Sequence, residues 1–235
     1  MLAVLVGCGG ALQFEAFFYR FTNVIPDLVA VDFIVEEEGG ESILRGDGIV
    51  FSDSTEYFEA DVDTTEVEDL IQFDLYEAGT SNQIDTIIVQ KLEDVSHHVF
   101  AFGMATPGGF QPAARLVAFE VTRTTPTGSN ARLIVVHGYI RKPASQTPPI
   151  DFVRSGKIDP EIEDLDFAES SVFLLAAGTY DLTVRIAGFE QSLLIEKLGV
   201  TFEAGKIYIV LLLGVEDDVT TPPDIFIIEE PIRDD

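Results

Sequence analysis

Val172 to Gly214 reads V-F-L-L-A-A-G-T-Y-D-L-T-V-R-I-A-G, then F-E-Q-S-L-L, then I-E-K-L-G-V-T-F-E-A-G-K-I-Y-I-V-L-L-L-G. After a turn at Ala177, Gly178 and Thr179, the apolar positions Tyr180, Leu182, Val184 and Ile186 alternate with Asp181, Thr183 and Arg185. That period of two is the signature of a half-buried strand. Ser192 to Leu198 continues into Val200 and Phe202, and Glu203-Ala204-Gly205-Lys206 forms a short polar turn whose glycine accepts a positive φ. Ile207 to Leu213 is almost wholly apolar and rich in β-branched residues, which predicts a strand covered on both faces. A helix is excluded there because the run is short and bounded by glycine at both ends.

Working outward, the same pattern extends through the chain. Phe14 to Phe21 and Val29 to Val35 are separated by a Pro26-Asp27 turn, and Glu36 to Gly40 is a charged turn. Ile49 to Phe51 and Tyr57 to Ala60 are short strand candidates. Ile71, Phe73 and Leu75 alternate with polar neighbours before the Glu77-Ala78-Gly79-Thr80-Ser81-Asn82 hairpin, and Ile84 to Leu92, Val99 to Ala105 and Arg115 to Val121 complete this half. Thr124 to Asn130, T-T-P-T-G-S-N, carries no apolar side chain except proline and reads as a linker. A new strand pattern opens at Ala131, with Arg132 to His137, a proline-rich loop to Pro149, Ile150 to Val153, an acidic loop Asp159 to Asp166 and a last strand Asp224 to Glu229.

The two halves share an order of features, the mark of an internal repeat. Val31-Asp32-Phe33 matches Ile150-Asp151-Phe152, and Lys91-Leu92 matches Lys197-Leu198. Gly103 matches Gly214, each followed by a loop with proline and a closing apolar strand. The expected fold class is therefore all-β, two tandem immunoglobulin-like antiparallel β-sandwiches at residues 14–123 and 131–235, joined by residues 124–130. The linker argues against one large sandwich.

Composition narrows the partners. Lys and Arg total 14 against 41 Asp and Glu, a formal net charge of −27, which repels nucleic acid and anionic lipid head groups. The excess acidity is first a solvating surface and second a candidate for cation binding. One cysteine, Cys8, excludes an intrachain disulfide. Leu5-Val6-Gly7-Cys8, at the end of the apolar run from Met1, resembles the bacterial lipobox, in which the cysteine is acylated and becomes the mature N-terminus. Each buried methylene of an acyl chain contributes about 0.8 kcal/mol, so a multiply acylated cysteine holds a water-soluble domain on a membrane without a spanning helix. Residues 1–13 are expected to be a signal remnant with this motif and a tether. Nothing basic precedes Cys8, so the native start is expected upstream of Met1. Gly9 rather than Asp after the cysteine resembles the outer-membrane sorting pattern of Gram-negative bacteria.

The second half resembles the bacterial family called domain of unknown function 4397. The residues that carry the resemblance are Arg132-Leu133-Ile134-Val135-Val136-His137, Ile150-Asp151-Phe152, Ala176 to Val184 and Glu203-Ala204-Gly205-Lys206-Ile207-Tyr208. They span most of residues 131–235. The loop that follows the histidine in that family is replaced here by Gly138 to Pro149. The resemblance implies an exported, often lipid-anchored protein and no particular activity; the first half is a degenerate copy.

No G-x-S-x-G, H-E-x-x-H, phosphate-loop or dinucleotide motif is present. His97 and His98 are neighbours on a strand and point to opposite faces, so they do not chelate one ion, and His137 is expected to bond a loop backbone. The sharpest chemical candidates are the carboxylates of two acidic segments. Asp61, Asp63 and Glu66, with Glu68 and Asp69, form one cluster, and Asp159, Glu161 and Asp164, with Glu163 and Asp166, are its counterpart in the second half. Calcium takes six or more oxygen ligands and acidic loops supply them, although neither segment follows the EF-hand spacing. The expectation is a non-catalytic, lipid-anchored protein of the cell envelope, held to the outer membrane at Cys8 and acting as a binding or structural module toward an envelope protein or glycan. No catalytic residue or organic cofactor is expected. The alternative is a calcium-stabilised adhesion or polysaccharide-binding module at the cell surface.

Overall fold

The computed structural model describes residues 16–37, 41–62, 69–92, 95–143, 145–154, 157 and 159–233. Strands β1 (Ala16–Asn23), β2 (Val31–Glu37), β3 (Glu41–Ile49), β4 (Phe58–Asp61), β5 (Leu70–Glu77), β6 (Gln83–Gln90), β7 (Ser96–Phe102) and β8 (Arg115–Val121) build the first half. Strands β9 (Asn130–Ile140), β10 (Ile150–Arg154), β11 (Ile162–Leu165), β12 (Ser170–Ala176), β13 (Gly178–Ile186), β14 (Leu193–Phe202), β15 (Ile207–Val215) and β16 (Asp224–Glu230) build the second. The first half forms two sheets ordered β4-β1-β7-β8 and β3-β2-β5-β6, and the second forms β12-β9-β15-β16 and β11-β10-β13-β14. Counting β9 as a second β1, the two topologies are identical, so the chain is two tandem β-sandwiches of one design. Each carries a single parallel pair, β1 with β7 and β9 with β15, among antiparallel ladders.

The sandwiches are stacked as four layers. Every residue of β7 and of β15 is buried because each strand has an apolar layer on both faces. The pleat divides β15 cleanly: Tyr208, Val210 and Leu212 enter the core of the second sandwich, while Ile207, Ile209, Leu211 and Leu213 enter a separate core between the sandwiches. On β7, Val99 and Ala101 face the first sandwich's own core and Phe100 and Phe102 face the shared one. The continuous apolar run Ile207 to Leu213 is thus explained by a strand that serves two cores at once.

Matching details repeat. Gly103 and Gly214 have φ of 94° and 105°, and a Cβ on either would lie 2.3 Å from the Ala113 carbonyl oxygen or 2.4 Å from that of Pro222. Asp32 accepts the backbone N–H groups of Gly48 and Gly79 (both 2.8 Å), and Asp151 accepts those of Asp164 (3.1 Å) and Gly188 (3.2 Å). One carboxylate in each half therefore ties an edge strand, β3 or β11, to a hairpin turn.

Three expectations change. The acidic segment Asp159 to Asp166 contains β11, in which buried Ile162 and Leu165 face the core while Glu163 and Asp164 point outward. Glu41 to Ile49 pairs along β2 as a full strand despite Gly46 and Gly48, with register shifts where the glycines fall. The match of Lys91 with Lys197 is out of register: Phe73 and Leu182 are equivalent, and they stand opposite Ile87 and Lys197. The segment from Thr124 to Asn130 joins the sandwiches but is pinned along them, because Arg132 Nη1 donates to the carbonyls of Thr122 (2.7 Å) and Thr124 (2.9 Å) and Pro126 is buried.

Candidate functional site

Cys8, Asp63 and Glu66 lie outside the described residues. Asp61 closes β4, exposed, with its carbonyl accepting Lys91 Nζ at 2.9 Å; the same ammonium sits 2.6 Å from the Asp69 carboxylate. Glu161 bonds Arg154 and Lys157, so it is neutralised within its own loop. Burial would raise its carboxyl, but the bonds and charges of these two cations outweigh that and hold it below the ordinary range. Asp159 and Asp164 line an open depression of about 350 Å³ together with Asp151, Glu163, Glu190 and Arg185. Among the described residues, no three side chains of ligand type gather closely enough to hold a metal ion. Of the first acidic segment the described members Asp61 and Asp69 belong to the first sandwich, and Asp159, Glu161 and Asp164 belong to the second.

The densest polar arrangement lies where sequence reading placed none, in the apolar seam between the sandwiches. Glu230, the last residue of β16, is 1% exposed and reaches back to the first sandwich. Its Oε1 accepts a hydrogen bond from Arg20 Nη1 at 3.0 Å, and its Oε2 accepts the Tyr57 hydroxyl at 2.6 Å. His98 Nδ1 stands 3.4 Å from Oε1, and His98 Nε2 is 2.6 Å from the Thr22 hydroxyl, which is itself 2.6 Å from Ser54 Oγ. A neutral ring with its proton on Nδ1 lets Nε2 accept from Thr22 and turns the N–H toward the carboxylate, an electrostatic approach at 3.4 Å that falls short of a hydrogen bond. Arg123 stacks over Tyr57 at 4.0 Å and donates through Nε to the Pro231 carbonyl.

The electrostatics follow from burial and pairing. Desolvation pulls the His98 imidazole below its ordinary value, against the opposing pull of Glu230. Burial raises the Glu230 carboxyl, but the His98 ring, the Arg20 charge and the Tyr57 hydroxyl lower it by more, so it remains ionised. Burial first, and the adjacent Glu230 second, push the Tyr57 phenol up. The cluster gathers Arg20, Tyr57 and His98 around one carboxylate, with Arg20 Nε and His98 Nδ1 buried and without hydrogen-bond partners.

The chain matches no model of a known family, and no curated protein matches it.

The other histidines are also accounted for. His97 turns to the opposite face from His98 and packs on Phe17 at 5.1 Å, whereas His98 stacks on Phe100 at 4.1 Å. His137 lies three residues before the end of β9 and places Nδ1 3.1 Å from the carbonyl of Leu165, which is the last residue of β11 and not a loop residue. Burial lowers its pKa to about 4. Arg20, Tyr57 and Glu230 escaped sequence reading because the partners are separated by up to 210 residues, and Glu229-Glu230 resembles the polar end of an ordinary strand.

Proposed function

We propose that this chain is a non-catalytic, lipid-anchored protein of the bacterial cell envelope, an outer-membrane lipoprotein that serves as a rigid binding or structural module. The observation that carries the non-catalytic part is the fate of the buried carboxylates. Asp32 is taken by two backbone amides, Asp69 by Lys91, Asp74 by Gln72, Gln83 and Thr86, and Glu230 by Arg20 and Tyr57. Groups consumed in holding the fold are not poised to accept or deliver a proton to a substrate. The anchor rests on Leu5-Val6-Gly7-Cys8 at the end of the apolar run from Met1. Kinship with the domain of unknown function 4397 family belongs to the same proposal and rests on the motifs between Arg132 and Tyr208. Labelling cells with an alkyne palmitate analogue tests the anchor: label and membrane partitioning are expected for the wild type and lost in Cys8→Ser. A Cys8→Ser protein that still partitions with membranes would contradict it.

One observation favours a second reading, a calcium-stabilised adhesion or polysaccharide-binding module. Asp159, Glu163, Asp164 and Glu190 line one open depression beside Arg185, and calcium binding would have to draw at least three of them closer together than the structure places them. Calcium titrated into the Cys8→Ser chain would then release heat and raise the melting temperature, and a flat titration removes this reading.

A further inference from the structure

Among the described residues, four sheets leave eight terminal strands, and a terminal strand offers N–H and C=O groups to any extended chain that meets it; on β12 the Ala176 carbonyl already accepts the Tyr180 hydroxyl at 2.8 Å. Seven of the eight terminal strands carry at least one charged residue, in most cases on an outward position: β3, β4, β6, β8, β11, β14 and β16. The register shifts that twist an edge away from partners also occur along β3, β11, β6 and β14. Strand β12, Ser170 to Ala176, has neither protection. Its sequence S-S-V-F-L-L-A holds no charge and no proline, and it pairs with β9 over seven consecutive residues without a shift.

Its side chains sharpen the contrast. Val172 stands opposite Ile134, whose side chain is buried in the core between the sandwiches. Val172 and Leu174 share that face, yet they are 55% and 52% exposed, because they extend past the shelter of the first sandwich. They form an exposed apolar pair on the same face of the strand, with Val172 opposite Ile134 of the shared core. On β4, the equivalent strand of the first sandwich, the position matching Leu174 is Glu59, which is exposed. The duplicated design thus guards one edge with charge and leaves its twin bare.

We propose that the free edge of β12 is a docking site for an extended segment of a partner protein, taken up as a fifth strand of the β12-β9-β15-β16 sheet. Backbone pairing supplies the register, and alternate apolar side chains of the segment lie beside Val172 and Leu174. The net charge of −27 selects a segment with basic flanks and opposes the self-pairing of two copies. The site names the surface through which the binding role proposed above operates and rests on that role, but not on the anchor.

The test uses the full chain carrying Cys8→Ser and a synthetic peptide, Lys-Lys-Val-Thr-Val-Thr-Val-Lys-Lys, with a control whose central valine is proline. The wild-type surface is expected to bind the first peptide saturably, to slow amide exchange across residues 171–175, and to ignore the control. Leu174→Glu is expected to weaken binding at least tenfold even though the added charge attracts the basic flanks, while Leu198→Glu on the edge of β14 leaves it unchanged. If Leu174→Glu does not fold, as judged by circular dichroism, Val172→Thr keeps strand propensity and is read in its place. Absence of binding, or equal loss in Leu174→Glu and Leu198→Glu, overturns the proposal. A dimer by light scattering that Leu174→Glu dissociates would assign the edge to a second copy instead. Binding that survives Leu174→Glu overturns this site and leaves the broader binding role standing.

Discussion

Arg20 on β1 and Glu230 at the end of β16 are joined by a 3.0 Å hydrogen-bonded ion pair that crosses from one sandwich to the other. The duplicated topology gives this pair a counterpart. Aligning the Gly103 corner on the Gly214 corner carries Arg20 onto Ile134, His98 onto Ile209 and Val121 onto Glu230. Ile134, Ile209 and Val121 lie together in the shared core, so one side of the seam is apolar where the other is ionic. The same backbone frame tolerates both solutions.

The ion pair therefore fixes how the sandwiches sit more than it adds stability. Removing one partner strands the other in the seam, so Glu230→Ala or Arg20→Ala is expected to cost about 3–5 kcal/mol in denaturant unfolding. The double substitution Arg20→Ile with Glu230→Val, which copies the apolar side, is expected to recover most of that loss. A double variant as unstable as the sum of the singles would show that the seam depends on the charges themselves.

Stability should fall with acid in a defined window. His137 has its pKa lowered to about 4 by burial, below the ordinary value near 6.5, and His98 is lowered as well. A group whose folded pKa is depressed lets the unfolded chain bind protons first. Stability is therefore intact above about pH 6.5 and declines as the pH falls toward 4, by roughly 3 kcal/mol for His137. Glu230, also depressed, adds loss at the acid end as the pH drops through the carboxylate range. Melting curves of His137→Gln are expected to show a flatter slope between pH 6.5 and 4 than those of the wild type.

The two corner glycines offer a test of the duplication. A methyl at either position would meet a carbonyl oxygen at 2.3 or 2.4 Å while the backbone holds φ near +100°. Gly103→Ala and Gly214→Ala are each expected to lower the melting temperature substantially, whereas Gly79→Ala, with open space around it, should cost only about 1 kcal/mol for its positive φ. A mild effect at one corner and a severe one at the other would mean that the corners are not equivalent.

Much of this fold was legible because the pleat writes burial directly into sequence. Tyr180, Leu182, Val184 and Ile186 alternate and form a half-buried strand, and Ile207 to Leu213 is continuous because both faces are covered. Asp32 and Asp151 were matched as repeat positions from their flanking residues, and both clamp an edge strand to a hairpin turn. Strand β11 was hidden because Ile162 and Leu165 are separated by two acidic residues across a bulge, which breaks the period of two. The lysine match failed because β6 and β14 carry different register shifts. The Glu230 cluster had no local signal at all, since its geometry exists only once β16 is laid over β1.

The proposed lipid anchor requires that the mature chain begin at an acylated Cys8. Intact-mass measurement of the protein extracted in detergent from its native membrane tests this most directly. The expected result is a polypeptide that lacks everything before Cys8 and carries the added mass of a diacylglyceryl group on that residue. A mass that retains Leu5 to Gly7, with an unmodified Cys8 thiol, would contradict it.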